Sequence, residues 1–394
     1  MELLQNIKEI EDFKFFGWKI YPVRKNKKGI VNWEDFMKRL KFDSNPRQVT
    51  NIEQLNDKLS KIDVSKVILP TTRRTKNQRI VFWEYPYTVP PVIACYVAAQ
   101  RSCPMKNVSF LVHGSVLGIL SRVNSKNRNE HIMVQRLGGG NVINIRIVVD
   151  ANGNLGDAGH QFEKLVVGED INARPILLQD QHLRLIEVGP YKILVCAEVD
   201  AIDPKNHKQV EVKSKNYLAE KAFDRDKAKL LFQMISNGSE TLITSERTKG
   251  EKGTFAVDAV KKIAINEIIN SFQQEEGTSY VNGRIDTAVA VLGVIQERIK
   301  ESDDKCYELT FDQDKINLAL FEKGSENSKC KKTQKYFQQL NSDLYRKYVI
   351  GQEESLKDKE GDLHSFYKAP IIPPQPNPGK ITERKFSYCT KMKI

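Results

Sequence analysis

No two cysteines in this 394-residue chain are spaced Cys-x-x-Cys, and its six cysteines (Cys95, Cys103, Cys196, Cys306, Cys330 and Cys389) have no histidine-rich spacing beside them. A zinc ribbon or a disulfide framework is thereby excluded, and the expected setting is a reducing intracellular one, nucleus and/or cytoplasm. No apolar run approaches the length of a membrane span, and the start MELLQNIKEIEDF lacks the continuous apolar segment of a signal peptide, so no membrane partner is expected. A phosphate loop is missing too: Gly138, Gly139 and Gly140 lie between two β-like runs, with no Lys-Ser or Lys-Thr opening a helix, and read as a hairpin turn. Internal repeats and a linker between folded units are absent, which predicts one domain over 1–368. The stretch APIIPPQPNPG (369–379) is too rich in proline for any helix or inner strand and opens a proline-rich, basic tail over 369–394. Acidic residues do not balance the basic ones. A formal charge of +12 and a pI near 9.2 point to an acidic partner, nucleic acid before membrane.

Along the chain, the basic cluster TTRRTKNQR (71–79) reads as a solvated loop, and VIACYVAAQ (92–100) as a buried helix or strand, which periodicity alone does not separate. HIMVQRL and NVINIRIVVD read as paired strands. After a loop at 151–161, FEKLVV, LLQDQHLRLIEVGPYKILVCAEVDAID and KQVEVKSK read as further strands. Helical periodicity follows from about Tyr217 to Ser236, again in FAVDAVKKIAINEIINSF, and again in DTAVAVLGVIQERIK.

The stretch CAEVDAIDPKNHKQVEVKSK (196–215) carries the chemistry. Alternation along a strand sends Glu198 and Asp200 one way, and likewise Glu211 and Lys213. DPKNHK between them is made of turn formers, which predicts an antiparallel pair with all four charges on one patch. The preceding run from Ile193 to Ala197 is apolar on both faces, the mark of a strand buried in a sheet. Carboxylates at the end of such a strand are costly unless paired or bound to a cation. Three acids and one lysine do not cancel, so a divalent metal is the simplest source of the missing positive charge. The spacing from Asp200 through ten residues to Glu211-Val212-Lys213 is the acid, acid-x-lysine arrangement of a large nuclease superfamily.

Other residues join this pattern in order. GHQFE (159–163) precedes it, and FDRDKAKLLFQ, NG and SERT follow it. In this order the chain resembles the DXO family of RNA 5′-end decapping enzymes and 5′–3′ exoribonucleases, most strongly over about 155–255. The resemblance implies a mixed α+β fold of the α/β class, with two mixed β-sheets flanked by helices around the acid-x-lysine core. It implies two divalent cations, Mg²⁺ or Mn²⁺, held by Glu163, Asp200, Glu211 and the Val212 backbone carbonyl, with Glu198 acting through a bound water. Lys213 and Gln233 would hold the attacking water or the terminal phosphates, and Arg225 and Arg247 would contact the RNA backbone. The implied partner is the single-stranded 5′ end of an RNA, capped or not. A partner nuclease is a further implied contact, and a monomer is expected. His160 occupies a variable slot in GHQFE and reads as structural.

One departure stands out. Where the family carries a tryptophan-arginine pair, this chain has His113 and Gly114 within FLVHGSVLGIL. Arginine restored at either position is expected to raise affinity for phosphate. Two rivals remain: a metal-dependent deoxyribonuclease with the same core, and a weakly active or inactive member that binds RNA or a partner protein.

Overall fold

The computed structural model describes residues 7–19, 38, 40–61, 68–70, 91–122, 131–148, 158–171, 178–214, 224–249, 254–277, 279–299, 305–312, 315–320 and 344–350. The cluster at 71–79 and the tail at 369–394 lie outside them.

Strand β8 (Tyr191–Glu198) shows why the fold is layered. Ile193, Val195 and Ala197 fill one core while Leu194 and Cys196 fill another, so the strand is covered on both faces. It pairs in parallel with β4 (Phe110–His113) and antiparallel with β7 (Leu178–Val188). Outward from these run β6 (Ile143–Val148), β5 (His131–Arg136), β13 (Cys306–Asp312) and β14 (Lys315–Leu320) on one side, and β1 (Ile7–Lys19) and β2 (Leu40–Lys41) on the other, giving a mixed nine-stranded sheet. The turn between β5 and β6 holds Gly138 and Gly139 at φ +58° and +74°, the left-handed region that a tight hairpin needs and glycine enters freely.

Four helices cover the first face: α3 (Val116–Leu120), α5 (Asp224–Asn237), α6 (Ile265–Glu276) and α7 (Tyr280–Arg298). The second face is covered by α2 (Pro91–Gln100), so the apolar run there is a helix, with Val92 to Ala98 largely buried. A smaller mixed sheet of five strands takes the order β3 (Ile68–Pro70), β12 (Thr254–Ala264), β11 (Thr241–Lys249), β10 (Gln209–Lys213), β9 (Ala201–Ile202). Its core holds Val210, Val212, Ile243, Val257 and Val260 with Leu59 of α1 (Ile52–Lys61) and Phe162 and Val166 of α4 (Ala158–Val166).

The expected class, two mixed sheets flanked by helices, is what the structure shows. Three local expectations are corrected. FEKLVV is not a strand but the second half of α4, because Phe162 and Val166, four apart, both enter the small core from one helical face. FAVDAVKKIA is not helical: it forms β12, and the helix begins only at Ile265, where the Glu267 carboxylate accepts the Ala264 N–H at 3.3 Å. The charged hairpin is divided between the sheets. β8 ends at Glu198 in the large sheet, and only Ala201–Val210 and Ile202–Gln209 pair antiparallel in the small one. Its turn over 203–208 forms as expected, with the Asp203 N–H donating to the Lys208 carbonyl at 2.8 Å. Among the described residues, no helix is long and apolar enough to cross a membrane.

Candidate active site

Alternation in QVEVK sends Val210 and Val212 into the small core and turns Glu211 to the opposite face, against α5. There the Glu211 side chain is 1% exposed. Its two oxygens accept from Gln233 Nε2 and Asn237 Nδ2, each at 2.7 Å, and it pairs with the Lys213 ammonium. Gln233 and Asn237 are four apart on α5, so one helical face presents both amides. The carbonyl end of that helix is itself clamped. Arg184 Nη1 donates to the Ile235 and Ser236 carbonyls at 3.2 and 2.9 Å, setting positive charge at the negative end of the helix dipole. His182 Nδ1 lies 3.0 Å from the Asn237 carbonyl and 3.1 Å from Gln209 Oε1, and its Nε2 lies 2.8 Å from Asp12 Oδ1.

Asp200 sits where the chain crosses from the large sheet to the small one. Its Oδ2 accepts the Val212 N–H at 2.9 Å and lies 3.4 Å from Lys213 Nζ. Glu163, on the inner turn of α4, stands 3.5 Å from Arg47 Nη2, and the same guanidinium nitrogen donates to the Asp200 carbonyl at 3.1 Å. Burial works to lower the Lys213 pKa, but Asp200, Glu211 and Glu163 more than reverse it and hold the ammonium well above the usual lysine range. Burial pushes the Glu211 carboxyl up, against the pull of Lys213.

The sequence-predicted residues Glu163, Asp200, Glu211, Lys213 and Gln233 are therefore brought together. Glu198 is exposed at the end of the neighbouring strand, its carbonyl fixed by Gln209 Nε2 at 2.9 Å. Arg225 and Arg247 stand on α5 and β11, but their side chains, like that of His160, lie outside the described residues. Asn237, Gln209, His182, Asp180 and Arg47 were not singled out by sequence. The four-residue spacing of Gln233 and Asn237 on one helix is a signal that finds the first; no local pattern marks the others.

His113 follows the parity of Leu111 on β4, whereas Phe110 and Val112 face the core that α5 shares, so it points away from that helix. Burial, with the Arg146 charge adding to it, lowers its pKa to about 4, although a hydrogen bond to the Cys196 backbone opposes the shift. It is therefore neutral near pH 7 and supplies no cation. Between the ordinary value and this lowered one the unfolded chain binds a proton that the fold does not, so stability is full above about pH 6.5 and is lost as pH falls toward 4. Urea titrations at pH 7 and pH 5 should show His113→Gln spared about 2 kcal/mol of the acid loss suffered by the parent.

The donor set is carboxylate oxygen without cysteine or histidine, the chemistry of a hard divalent cation. One observation fits such an ion: the charge on buried Glu211 is disfavoured. In this arrangement Lys213 and Arg47 supply the positive charge, and among the described residues no three acidic, histidine or cysteine side chains stand at metal-holding spacing.

The fold is similar to that of S. pombe Rai1, at 15% identity and a TM-score of 0.52, covering 80% of this chain and 95% of that one. It is likewise similar to K. lactis Dxo1 in complex with manganese, at 13% identity and a TM-score of 0.51, covering 83% and 92%. Candida albicans Rai1 in complex with pU5-Mn²⁺ matches at 12% identity and a TM-score of 0.52, covering 87% and 96%. Among curated protein sequences the chain finds no match. The family model described as RAI1 like PD-(D/E)XK nuclease matches residues 180–337. That stretch contains Glu198, Asp200, Glu211, Lys213 and Gln233, so the likeness to the decapping family read from the sequence is borne out, and over 180–337 the chain is similar to nuclease cores of the RAI1 type.

Proposed function

We propose that the chain is a metal-dependent hydrolase of RNA 5′ ends. It removes incomplete or otherwise aberrant caps (unmethylated cap, triphosphate, NAD-type) and degrades the exposed strand 5′ to 3′, in RNA quality control. The observation that carries this reading is the buried Glu211 joined to Lys213, Gln233 and Asn237 with Asp200 alongside, inside a segment that matches a nuclease family. Solved relatives of the same fold hold manganese, a 5′-phosphorylated oligouridine with Mn²⁺, or 3′-FADP.

In this reading Glu163, Asp200, Glu211 and the Val212 carbonyl hold two divalent cations, Mg²⁺ or Mn²⁺, and Glu198 acts through a water. When bound, such ions lower the pKa of water and neutralise charge on the phosphate oxygens. Lys213, kept as an ammonium, is no general base; it donates to the attacking water or to a phosphate oxygen, with Gln233 beside it. Water oxygen bonds to phosphorus as the phosphorus–oxygen bond to the leaving group breaks; the leaving oxygen takes the bonding electrons, and the proton given up by the water passes to solvent. Asn237 and His182 position the acids through Glu211 and the end of α5. The retention of Glu163, Asp200, Glu211 and Lys213 together favours this over an inactive binder.

Purified protein should release cap or nucleotides from RNA with Mn²⁺ or Mg²⁺ and not with chelator, and Asp200→Ala should lower the rate by about 10³-fold, ~4 kcal/mol of transition-state stabilisation. Faster cleavage of single-stranded DNA than of RNA would move the assignment to a deoxyribonuclease. RNA binding with no release under any metal would move it to the binding protein.

A further inference from the structure

We propose that Arg47 is the residue that reads the 5′-terminal phosphate of the RNA, standing in, from a segment outside the matched nuclease core, for the arginine missing at His113 and Gly114. The inference rests on the hydrolase reading above and adds to it a source of selectivity for a phosphorylated end.

The backbone that carries Arg47 is built in. The Ile202 N–H donates to the Arg47 carbonyl at 2.8 Å, the Val49 N–H to the Ile202 carbonyl at 2.9 Å, and the Thr50 N–H to the Val166 carbonyl at 3.0 Å. Gln48 bridges Ile202 in parallel. The segment thus extends the edge of the small sheet beyond β9 and ties it to the end of α4, so the root of the side chain is fixed between the two elements that carry Asp200 and Glu163. Its tip is less engaged. One guanidinium nitrogen bonds the Asp200 carbonyl at 3.1 Å, while the Glu163 and Glu169 oxygens stand at 3.5 and 3.7 Å, the outer range of an ion pair. An arginine has five N–H donors in a fixed fork, and a terminal phosphate offers several oxygens in matching geometry, so bidentate contact with phosphate is stronger than these long carboxylate pairs. The side chain is a quarter exposed, open to an incoming chain end.

Among the described side chains, three other cations near the site are committed or wrongly placed. Lys213 is held by Asp200 and Glu211, Arg184 is buried on the end of α5 and on Glu9, and His113 is neutral and faces the other core. Glu163 cannot serve a metal and hold Arg47 equally well. With Glu163 engaged, the guanidinium keeps its anchor on the Asp200 carbonyl and turns its remaining donors to the phosphate. The arginine thus sits at the acid cluster without belonging to its acid, acid-x-lysine pattern, which is why motif reading did not find it.

The test is fluorescence anisotropy with a short 3′-labelled oligouridine bearing either a 5′-monophosphate or a 5′-hydroxyl, with Ca²⁺ in place of Mn²⁺. The parent protein is expected to bind the phosphorylated end at least about 10-fold more tightly, and Arg47→Gln to bring the two within about 2-fold. Arg47→Lys, which keeps the charge and loses the fork, should fall between them, and it carries the test should Arg47→Gln not fold. A parent without preference, or an Arg47→Gln protein that keeps it, overturns the proposal. Should Asp200→Ala abolish metal-dependent release while Arg47→Gln keeps the preference, only the role of Arg47 falls. Should the parent release nothing from any RNA, the hydrolase reading falls, and the anisotropy comparison still decides on Arg47.

Discussion

Glutamine in place of Glu211 is expected to lower turnover by about 10³-fold or more while the melting temperature stays level or rises. The two effects have one cause. Burial raises the Glu211 carboxyl, with Lys213 acting against burial and Asp200 adding to it, so its charge is harder to hold in the fold than in water. For an acid whose folded value is raised, stability grows as pH falls through that value and is reduced above it. Glutamine keeps the shape and removes the charge. Its amide can keep its oxygen toward Asn237, whose own Oδ1 already accepts the Ser239 N–H, while the less buried Gln233 amide rotates to accept and the partly exposed Lys213 ammonium turns to Asp200 and water. Alanine is a poorer probe, because it leaves the Gln233 and Asn237 donors unpaired against a cavity, at about 1–3 kcal/mol for each donor buried without a partner. Melting curves of both variants, beside metal-dependent RNA release, check this. Activity within about 10-fold of the parent in Glu211→Gln would remove Glu211 from the machinery.

Arginine in place of Gly114 is expected to destabilise the fold by about 3 kcal/mol or more instead of improving phosphate affinity. The sequence comparison with the family invites that substitution; the packing forbids it. A Cβ on Gly114 would lie 3.0 Å from the Ala197 Cβ and 3.8 Å from the Asn237 Cβ, in a buried contact between β8 and the end of α5. Even alanine must displace Ala197, and a longer side chain would shift Asn237 and with it an amide on Glu211. Arginine at His113 fares no better, since it would place a guanidinium beside the buried Arg146. Denaturant unfolding of Gly114→Ala and Gly114→Arg measures the cost. Unchanged stability with tighter RNA binding would mean that strand and helix do not approach as described.

How much of this was legible in the sequence depended on the period of each segment. The apolar run before Glu198, the turn formers from Asp203 to Lys208 and the long stripe of α7 each follow one period and were read as they fold. FEKLVV failed because a run of six residues fits a strand or one face of a short helix, and only contact with Val210 and Val212 in the small core decides. The junction at Ala264 failed because no serine, threonine, aspartate or asparagine stands there to announce a helix start. At the site, Asp200, Glu211 and Lys213 were visible through their spacing. Arg47 lies 153 residues from Asp200, and His182 lies 55 from the Asn237 carbonyl, so both meet the site through tertiary pairing that no window of sequence contains.

The crossing at Val199 and Asp200 joins two sheets with α5 between them, its apolar residues sharing a core with the large sheet and with Leu242 of the small one. Glu163 and Glu211 ride on the small layer, while Gln233 and Asn237 ride on a helix seated on the large one. The spacing of the acids from the amides is therefore set by how one layer sits on the other, not by either layer alone. A shift of an ångström along that seam would cost catalysis on the order of 10²-fold. Selection for activity thus extends to seam residues that never touch substrate, and a stable fold is no guarantee of a working one.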